Sequence, residues 1–169
     1  LLGEINKTWR YNNTAYQYLK EILCQQSDQT LQDLSDSWLL GPLNMADTRW
    51  VERPQKLRNG KPFTGLQSTA RDLARLGEFV LARGKLGAWG WGWWNNSSSH
   101  YLQPMREESP IQGRILPDAP EDLIAARGAY GNYLHVAPSL ELVIARTSAL
   151  LPEKPGVDFE KAIWKILAS

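Results

Sequence analysis

A tyrosine and an asparagine stand two positions apart near the start of the chain, in Tyr11-Asn12-Asn13. In an extended segment Tyr11 and Asn13 project to the same side, so that a phenol and a carboxamide face one space. A phenol whose anion is stabilised by a neighbouring ammonium can relay a proton to or from a serine hydroxyl. A carboxamide both donates and accepts, which suits it to hold a substrate carbonyl or to orient a lysine.

The same residue types are also typical of an ordinary helix start. Asn13 or Thr14 can cap a helix over the residues that follow, with Tyr11 packed in front of it. The local spacing therefore leaves a catalytic and a structural interpretation open, and the elements around the pair have to distinguish them.

Four helices are predicted from apolar residues that recur at helical spacing behind a capping side chain. The expected stripes are Ala15, Leu19, Ile22 and Leu23, then Leu31, Leu34, Trp38 and Leu39, then Leu73, Leu76, Phe79 and Val80, and last Phe159, Ile163, Ile166 and Leu167. The expected caps of the later three helices are Thr30, Ser68 or Thr69, and Asp158. A loop rich in Arg, Pro, Asn and Gly is expected over residues 47–65.

Extended segments dominate the second half of the chain. In "AWGWGWW" three tryptophans alternate with two glycines, which places Trp89, Trp91 and Trp93 on one face of a strand and Gly90 and Gly92 on the other. We expect this row to pack beneath helices, with one tryptophan at a cleft, whereas a carbohydrate-binding row would have to face solvent.

A short strand is further expected over residues 111–116, and a hairpin over 130–136 and 140–146. The order of helices, antiparallel strands and a closing helix predicts an α+β fold, an antiparallel sheet flanked by helices. The length fits a single domain, 1–169, with a mainly helical part in 1–86 and the strands and last helix in 87–169.

Composition excludes several classes of function. With 19 Lys and Arg against 18 Asp and Glu, the net charge of +1 gives no electrostatic footprint for nucleic acid. No apolar run approaches the length of a membrane span. The single Cys24 excludes an internal disulfide and a cysteine-based zinc site, and we expect a buried, inert thiol. His100 and His135 have no second ligand at metal spacing, so neither a metal nor a cofactor is predicted.

Several stretches, in order along the chain, resemble the serine β-lactamase-like hydrolases, the group of class C β-lactamases, esterases and D-aminopeptidases. That family has a Tyr-x-Asn motif before a helix, as in "TWRYNNTAY", and "PLNMADT" is similar to its "PLGM-x-D-T" apart from Asn44. "GLQSTARDLARLGEF" resembles its "G-L-x-S-T-A-x-D-L-A-R-F" helix, "WGWGWW" its Gly-Tyr-Gly-Trp strand, and "RGAYGNYLHVAPSLELVIARTS" its closing hairpin. The resemblance is nearest to the branch of 6-aminohexanoate-dimer hydrolases and related esterases.

This resemblance implies a β-lactamase/transpeptidase-like fold and a penicillin-binding-protein-like serine mechanism. A serine in a Ser-x-x-Lys helix would attack an amide or ester carbonyl of a small molecule and form an acyl-enzyme, while lysine and tyrosine move the protons. Tyr11 matches the family's tyrosine and Asn13 its partner. The family also favours a periplasmic or secreted location.

The chain departs from the family because it contains no Ser-x-x-Lys. The nearest approach, Ser68-Thr69-Ala70-Arg71, belongs to a different helix, and an arginine stays charged and accepts no proton. We therefore expect the C-terminal portion of a larger amidase or esterase, inactive alone, with a partial fold. Its uncovered apolar surface should be buried by the missing N-terminal segment or by self-association.

The family's third motif, Lys-Thr-Gly or His-x-Gly on a strand, is matched by Ala126-Arg127-Gly128. Gly128 would let the strand edge approach the substrate, and the N–H of Ala129 is the candidate oxyanion donor. Arg127 either binds a substrate carboxylate or faces solvent, and both remain open. The alternative function is a non-catalytic remnant of the same fold that binds a ligand or a protein.

Overall fold

The computed structural model describes residues 11–56, 60, 62–83, 92–103, 109–148 and 158–169. Within these ranges the helices are α1 (Asn13–Ser27), α2 (Leu31–Ser35), α3 (Ala70–Arg83) and α4 (Phe159–Leu167), and a π-helical turn (Asp36–Leu40) continues α2. The strands are β1 (Arg49–Lys56), β2 (Pro62–Gln67), β3 (Trp94–Asn95), β4 (His100–Tyr101), β5 (Ile111–Gln112), β6 (Ile124–Arg127), β7 (Tyr133–Ala137) and β8 (Leu142–Arg146).

Four of these strands form one antiparallel sheet in the order β3-β6-β7-β8. Arg127 on β6 pairs with Tyr133 on β7, which in turn pairs with Arg146 on β8. β1 pairs with β2, and β4 pairs with β5, as separate two-stranded ladders. The α+β prediction, an antiparallel sheet flanked by helices, is confirmed, while the assignment of 1–169 to one domain stays a prediction.

The two faces of the sheet pack against different helices because side chains alternate along each strand. Leu134 and Val143 meet α3 at Gly77, where an added Cβ would overlap Val143 and come within 2.9 Å of Leu134 Cδ1. On the opposite face, the buried Trp164 of α4 packs in a cluster with Ala137 and loop residues between β5 and β6. Gly77 and Trp164 thus set how closely each helix approaches the sheet.

The loop predicted over residues 47–65 is wrong, since most of it forms the β1–β2 hairpin. The ladder shifts between Arg53 and Lys56, around Pro54, where a ring nitrogen can donate no ladder bond. A proline at an irregular point of a strand is tolerated, although in the sequence it favours a loop. The first part of the chain is therefore helical only in part.

α1 is fixed to the outer edge of β2 by a side-chain amide. Gln17 Nε2 donates to the carbonyl of Thr64 and Gln17 Oε1 accepts from its N–H, both at 3.0 Å. Lys20 Nζ also donates to Thr64 Oγ1 at 2.8 Å. The Gln17 amide thus makes the two backbone hydrogen bonds that a neighbouring strand would otherwise make with this edge of β2.

Because of this anchor, the side of α1 that faces the interior is not the predicted one. Gln17 is buried, whereas Leu19, Ile22 and Leu23 are each about half exposed, at 55%, 53% and 50%. Cys24 is a free thiol and only partly buried. The apolar stripe exists at the predicted spacing but faces outward, because hydrogen bonds rather than apolar contacts decide which side of α1 lies inward.

Two other predicted inward faces are also corrected. Trp38 is 77% exposed, because the π-helical turn adds one residue and brings Leu40, not Trp38, into the interior beside Leu34. On α4, Phe159, Ile166 and Leu167 are exposed, whereas Glu160 and Trp164 are buried.

The predicted helix caps are confirmed where hydrogen bonds identify them. Thr30, Thr69 and Asp158 accept from the backbone N–H groups of Asp33, Asp72 and Lys161, respectively.

The fully buried carboxylate of Asp72 ties α3 to the stretch "PLNMADT". Its Oδ2 accepts from Asp47 N and Thr48 Oγ1, both at 2.9 Å, and its Oδ1 accepts from Arg75 at 2.7 Å. Two of the family-like motifs are thus one structural unit.

The predicted tryptophan strand is only partly testable, since Trp89, Gly90 and Trp91 lie outside the described residues. Gly92 has a φ of +87°, so the chain turns there, and the strand begins at Trp94 instead. The strand expected over 111–116 is limited to β5, because Gly113, with a φ of +96°, turns the chain. The closing hairpin is confirmed as β7 and β8.

Candidate active site

A cavity of about 530 Å³ lies where the start of α1, the hairpin strand β2 and the end of β6 meet. Its walls combine aromatic rings with amide and backbone groups. The lining residues are Tyr11, Asn13, Phe63, Trp94, Tyr101, Leu102, Gln103, Arg127, Gly128 and Ala129. All five candidate site residues are among them, although more than a hundred positions separate the first two from the last three in the sequence.

The middle residue of Tyr11-Asn12-Asn13 caps the helix that follows. Asn12 is the N-cap of α1, and its Oδ1 accepts from Thr14 N at 3.0 Å and from Ala15 N at 3.3 Å. The expectation that Asn13 or Thr14 caps the helix is therefore wrong. Asn12 has extended backbone angles, so Tyr11 and Asn13 project to one side, and both line the cavity.

The phenol of Tyr11 lies in an aromatic cluster at the cavity mouth. Its ring stacks on Trp94, with centroids 6.3 Å apart and planes at 21°, and tilts against Tyr16 at 6.2 Å. Partial burial, and next the neighbouring Tyr16, raise the pKa of Tyr11 above its ordinary 10.0. Tyr11 is therefore a neutral hydrogen-bond donor near pH 7, and it becomes a base only where a cation stabilises its phenolate.

On the opposite wall, the end of β6 leads into a tight turn. Gly128 N donates to Asn132 O at 2.8 Å, and Ala129 begins a 3-10 turn (Ala129–Gly131). The N–H at the first position of a helical turn has no acceptor within that turn. Ala129 is exposed and lines the cavity, and its N–H as an oxyanion donor stays a prediction.

The Asn132 side chain holds this turn in place. Its Nδ2 donates to Ala129 O at 2.6 Å and to Ser148 O at 3.1 Å, and its Oδ1 accepts from Ser148 N at 2.7 Å. Arg146 donates to Gly131 O from β8. These bonds maintain Tyr130 in the left-handed region at a φ of 62°, a conformation that costs a non-glycine residue about 1–3 kcal/mol.

Gly128 is not required by its own conformation. Its φ is −114°, and an added Cβ would meet Asn132 only at ordinary contact distances of 3.5 and 3.6 Å. A small side chain would therefore fit at this position, and the role of Gly128 in close approach of a substrate stays a prediction.

Behind the cavity, Arg127 is the first member of a chain of polar side chains that the sequence did not reveal. Arg127 donates to Glu160 Oε2 through Nε at 3.0 Å and Nη2 at 2.6 Å. Glu160 Oε1 lies 2.8 Å from His135 Nε2, and Trp164 Nε1 donates to His135 Nδ1 at 2.9 Å. Arg127 is exposed at the cavity and ion-paired with Glu160 at the same time, so its binding of a substrate carboxylate stays a prediction.

The tautomer of His135 follows from these contacts. An indole nitrogen only donates, so Nδ1 of His135 is the acceptor, and Nε2 carries the proton that is donated to Glu160. Burial disfavours the charged form of Glu160, but the hydrogen bonds from His135 and Arg127 outweigh it and lower the pKa of this carboxyl. Glu160 is therefore an anion at neutral pH.

His135, for which the sequence indicates no metal-ligand role, is fully buried at the centre of this chain of polar side chains. The one available sequence signal was the four-residue spacing of Glu160 and Trp164, which puts both on one face of α4. Within the described ranges, no three His, Cys, Asp or Glu residues cluster as metal ligands, and no helix is long and apolar enough to cross a bilayer.

Comparison with known proteins identifies the family. No curated protein matches this chain. A protein-family model described as Beta-lactamase matches residues 1–167. This match covers nearly the whole chain, including both walls of the cavity, and it agrees with the α+β fold. The chain therefore belongs to the β-lactamase family, within the serine β-lactamase-like hydrolases.

Proposed function

We propose that this chain is the C-terminal part of a serine hydrolase that cleaves small-molecule amides or esters through an acyl-enzyme. The observation that carries the proposal is the convergence of Tyr11 and Asn13 with Gly128 and Ala129 around one cavity. Because the 169 residues contain no Ser-x-x-Lys, the nucleophile and its lysine would come from a segment outside them.

In this proposal each wall of the cavity has its own role. The serine Oγ attacks the substrate carbonyl carbon while its proton passes to the lysine or to the Tyr11 phenolate. The N–H of Ala129 donates to the oxyanion that forms, and Asn13 holds the substrate or the lysine. The tyrosine then protonates the leaving amine or alcohol, and water releases the acyl group from the serine.

The protonation state of Tyr11 agrees with a need for a neighbouring cation. Its pKa is raised, so the phenol keeps its proton near pH 7 and cannot accept one from a serine. A lysine ammonium beside the ring would lower that pKa and create the base. The missing segment would thus supply both the nucleophile and the charge that activates Tyr11.

Exposed apolar side chains support the proposed partner surface. Leu19, Ile22 and Leu23 on α1 are each about half exposed, and Ile166 on α4 is 72% exposed. We propose that these surfaces are covered by the Ser-x-x-Lys segment or by self-association. A periplasmic or secreted location remains part of the proposal, on the strength of the family alone.

Turnover of a nitrophenyl ester tests the proposal. The 169-residue chain should show no turnover above buffer, whereas a longer polypeptide with a Ser-x-x-Lys segment of this family before Leu1 should be active. In that polypeptide Tyr11→Phe should lower kcat by about 10²–10⁴-fold, the usual contribution of a positioned proton donor and acceptor. Tyr18→Phe, which changes an exposed ring on α1, is the matched control.

Turnover by the 169 residues alone would contradict the proposal, and so would full activity of the Tyr11→Phe polypeptide. The alternative is a non-catalytic module that binds a ligand or a protein through the same cavity, which the absence of Ser-x-x-Lys favours. It would be supported if the longer polypeptide folds and binds ligands but hydrolyses no ester.

A further inference from the structure

The charge of the cavity wall indicates what kind of substrate it accepts. Among the described residues that line the cavity, Arg127 is the only one with a formal charge. An unpaired guanidinium in such a place would bind a substrate carboxylate through paired N–H bonds.

Glu160 already neutralises this guanidinium. Two N–H groups of Arg127 end on the one oxygen Oε2, at 3.0 and 2.6 Å, while Oε1 is engaged by His135. The side chain of Glu160 is only 10% exposed, and that of Arg127 is 32% exposed. A substrate carboxylate on Arg127 would therefore lie beside a second, partly buried carboxylate, and like charges at that distance repel.

The Glu160 carboxylate cannot rotate away from Arg127 without breaking its hydrogen bond to His135. Its Oε1 accepts from the fully buried His135, whose other ring nitrogen accepts from the buried Trp164. Rotation of the carboxylate would leave the His135 N–H unsatisfied in the interior, which is costly. The lowered pKa of Glu160 agrees with a permanent anion at neutral pH.

The remaining walls are suited to a neutral, apolar group. Among the described lining residues other than Arg127, most carry aromatic or aliphatic side chains, and the polar groups are two phenol hydroxyls, two carboxamides and a backbone N–H. The apolar or aromatic members are Tyr11, Phe63, Trp94, Tyr101 and Leu102, and the uncharged polar members are Asn13, Gln103 and the N–H of Ala129.

We propose that the Arg127–Glu160 pair makes this cavity selective for uncharged aromatic or branched aliphatic substrates over substrates that carry a carboxylate. The inference rests on the proposed function in that it names the substrate class of the same site. Arg127 and Glu160 are positioning residues here, since they set the charge of the wall and do not touch the reacting atoms.

Binding to the 169-residue chain tests this selectivity without a nucleophile. N-phenylacetylglycine amide and N-phenylacetylglycine have the same shape and differ in charge, and calorimetric titration measures both. The chain should bind the amide at least about tenfold more tightly than the acid, as expected when a wrongly charged group meets a like charge.

Glu160→Gln should reduce or abolish this preference. The substitution keeps the shape but removes the anion that neutralises Arg127, so the ratio of the two dissociation constants should move toward the acid by about tenfold or more. The double variant Arg127→Gln/Glu160→Gln should not gain affinity for the acid. Glu78→Gln, on α3 at the other face of the sheet, removes one exposed carboxylate as a matched control and should leave the ratio unchanged.

Equal or tighter binding of the acid by the unmodified chain would overturn the proposal, whether or not any variant folds. Binding of neither ligand would overturn it as well. Because the readout is a ratio of binding constants, selectivity can hold while the longer polypeptide hydrolyses no ester. That outcome would refute the proposed hydrolase and leave this inference intact.

Discussion

The two walls of the cavity are built in different ways. Behind Arg127, four side chains from β6, β7 and α4 are linked by hydrogen bonds, and the described residues leave no buried side-chain nitrogen or oxygen without a partner. Around Tyr11, at the start of α1, the contacts include ring stacking on Trp94 of β3, and the residue is 36% exposed.

Only one of the two walls depends on its surroundings for its chemical state. The Arg127 wall is complete within the chain, because each charge in it has its counter-charge or hydrogen bond. On the Tyr11 side, the protonation state of the phenol still depends on a neighbouring charge. The raised pKa keeps the phenol neutral until a cation stabilises its anion. Substitutions should therefore cost stability on the first wall and activity on the second.

The largest expected effect on stability is Trp164→Ala. It removes a ring that is 1% exposed and leaves His135 Nδ1 without its donor, so the free energy of unfolding should fall by about 3–5 kcal/mol. Urea denaturation followed by fluorescence measures it. Ile166→Ala, two positions along on the exposed side of α4, should cost under about 0.5 kcal/mol. Equal losses for the two variants would contradict the assigned inner face.

A smaller loss is expected for Glu160→Gln, about 1–3 kcal/mol, because charge-assisted bonds to Arg127 and His135 are weakened. The pH dependence follows from the lowered pKa of Glu160. Its contribution to stability is fully present above the unfolded-state pKa, near 4.5, and is lost as the pH falls through the lower pKa of the folded state.

Unfolding measured from neutral pH down through this acid range should therefore show a steeper loss for the unmodified chain than for Glu160→Gln. Parallel pH profiles for the two proteins would show that Glu160 is not the anion that this network requires.

Gln17→Ala tests the anchor that places the Tyr11 wall. Two hydrogen bonds to the Thr64 backbone are lost, which should cost about 1–2 kcal/mol, and amide protection should fall first in α1 and β2. Gln25→Ala, an exposed change on the same helix, is the control. Uniform loss of protection across the sheet would contradict a local anchor.

The smallest effect on stability belongs to Tyr11→Phe, under about 0.5 kcal/mol, because the stacked ring is retained. Alkaline spectrophotometric titration should show the loss of a tyrosine that ionises above its ordinary pKa of 10.0. Loss of an earlier-titrating tyrosine instead would mean that a cation already activates Tyr11 in this chain.

Sequence patterns predicted several features that depend on contacts between residues close together in the chain. Thr30, Thr69 and Asp158 cap their helices as expected, because a cap is a contact between residues three apart. The β7–β8 hairpin was likewise visible from two extended runs joined at Pro138.

The orientation of α1 and α4 was not predictable in the same way. Each helix buries a polar side chain, Gln17 or Glu160, whose partners lie 47 and 25–33 positions away. Apolar periodicity locates the apolar stripe of a helix, but it does not show when distant hydrogen bonds hold the other side inward. The neutralisation of Arg127 was hidden for the same reason.

The candidate site was reached from the sequence mainly through the family resemblance. Tyr11, Asn13 and the Arg127-Gly128-Ala129 segment could be named, but only the folded chain shows that they line one cavity. Their catalytic roles stay predictions until a reaction is measured.

The most direct measurement is intact-mass spectrometry after reaction with a nitrophenyl ester. A longer polypeptide that carries a Ser-x-x-Lys segment should gain the mass of one acyl group on that serine, while the 169-residue chain should stay unmodified. Tyr11→Phe in the longer polypeptide should slow acylation by orders of magnitude. Stoichiometric acylation of the 169 residues alone, or a folded longer polypeptide that never acylates, would contradict the account.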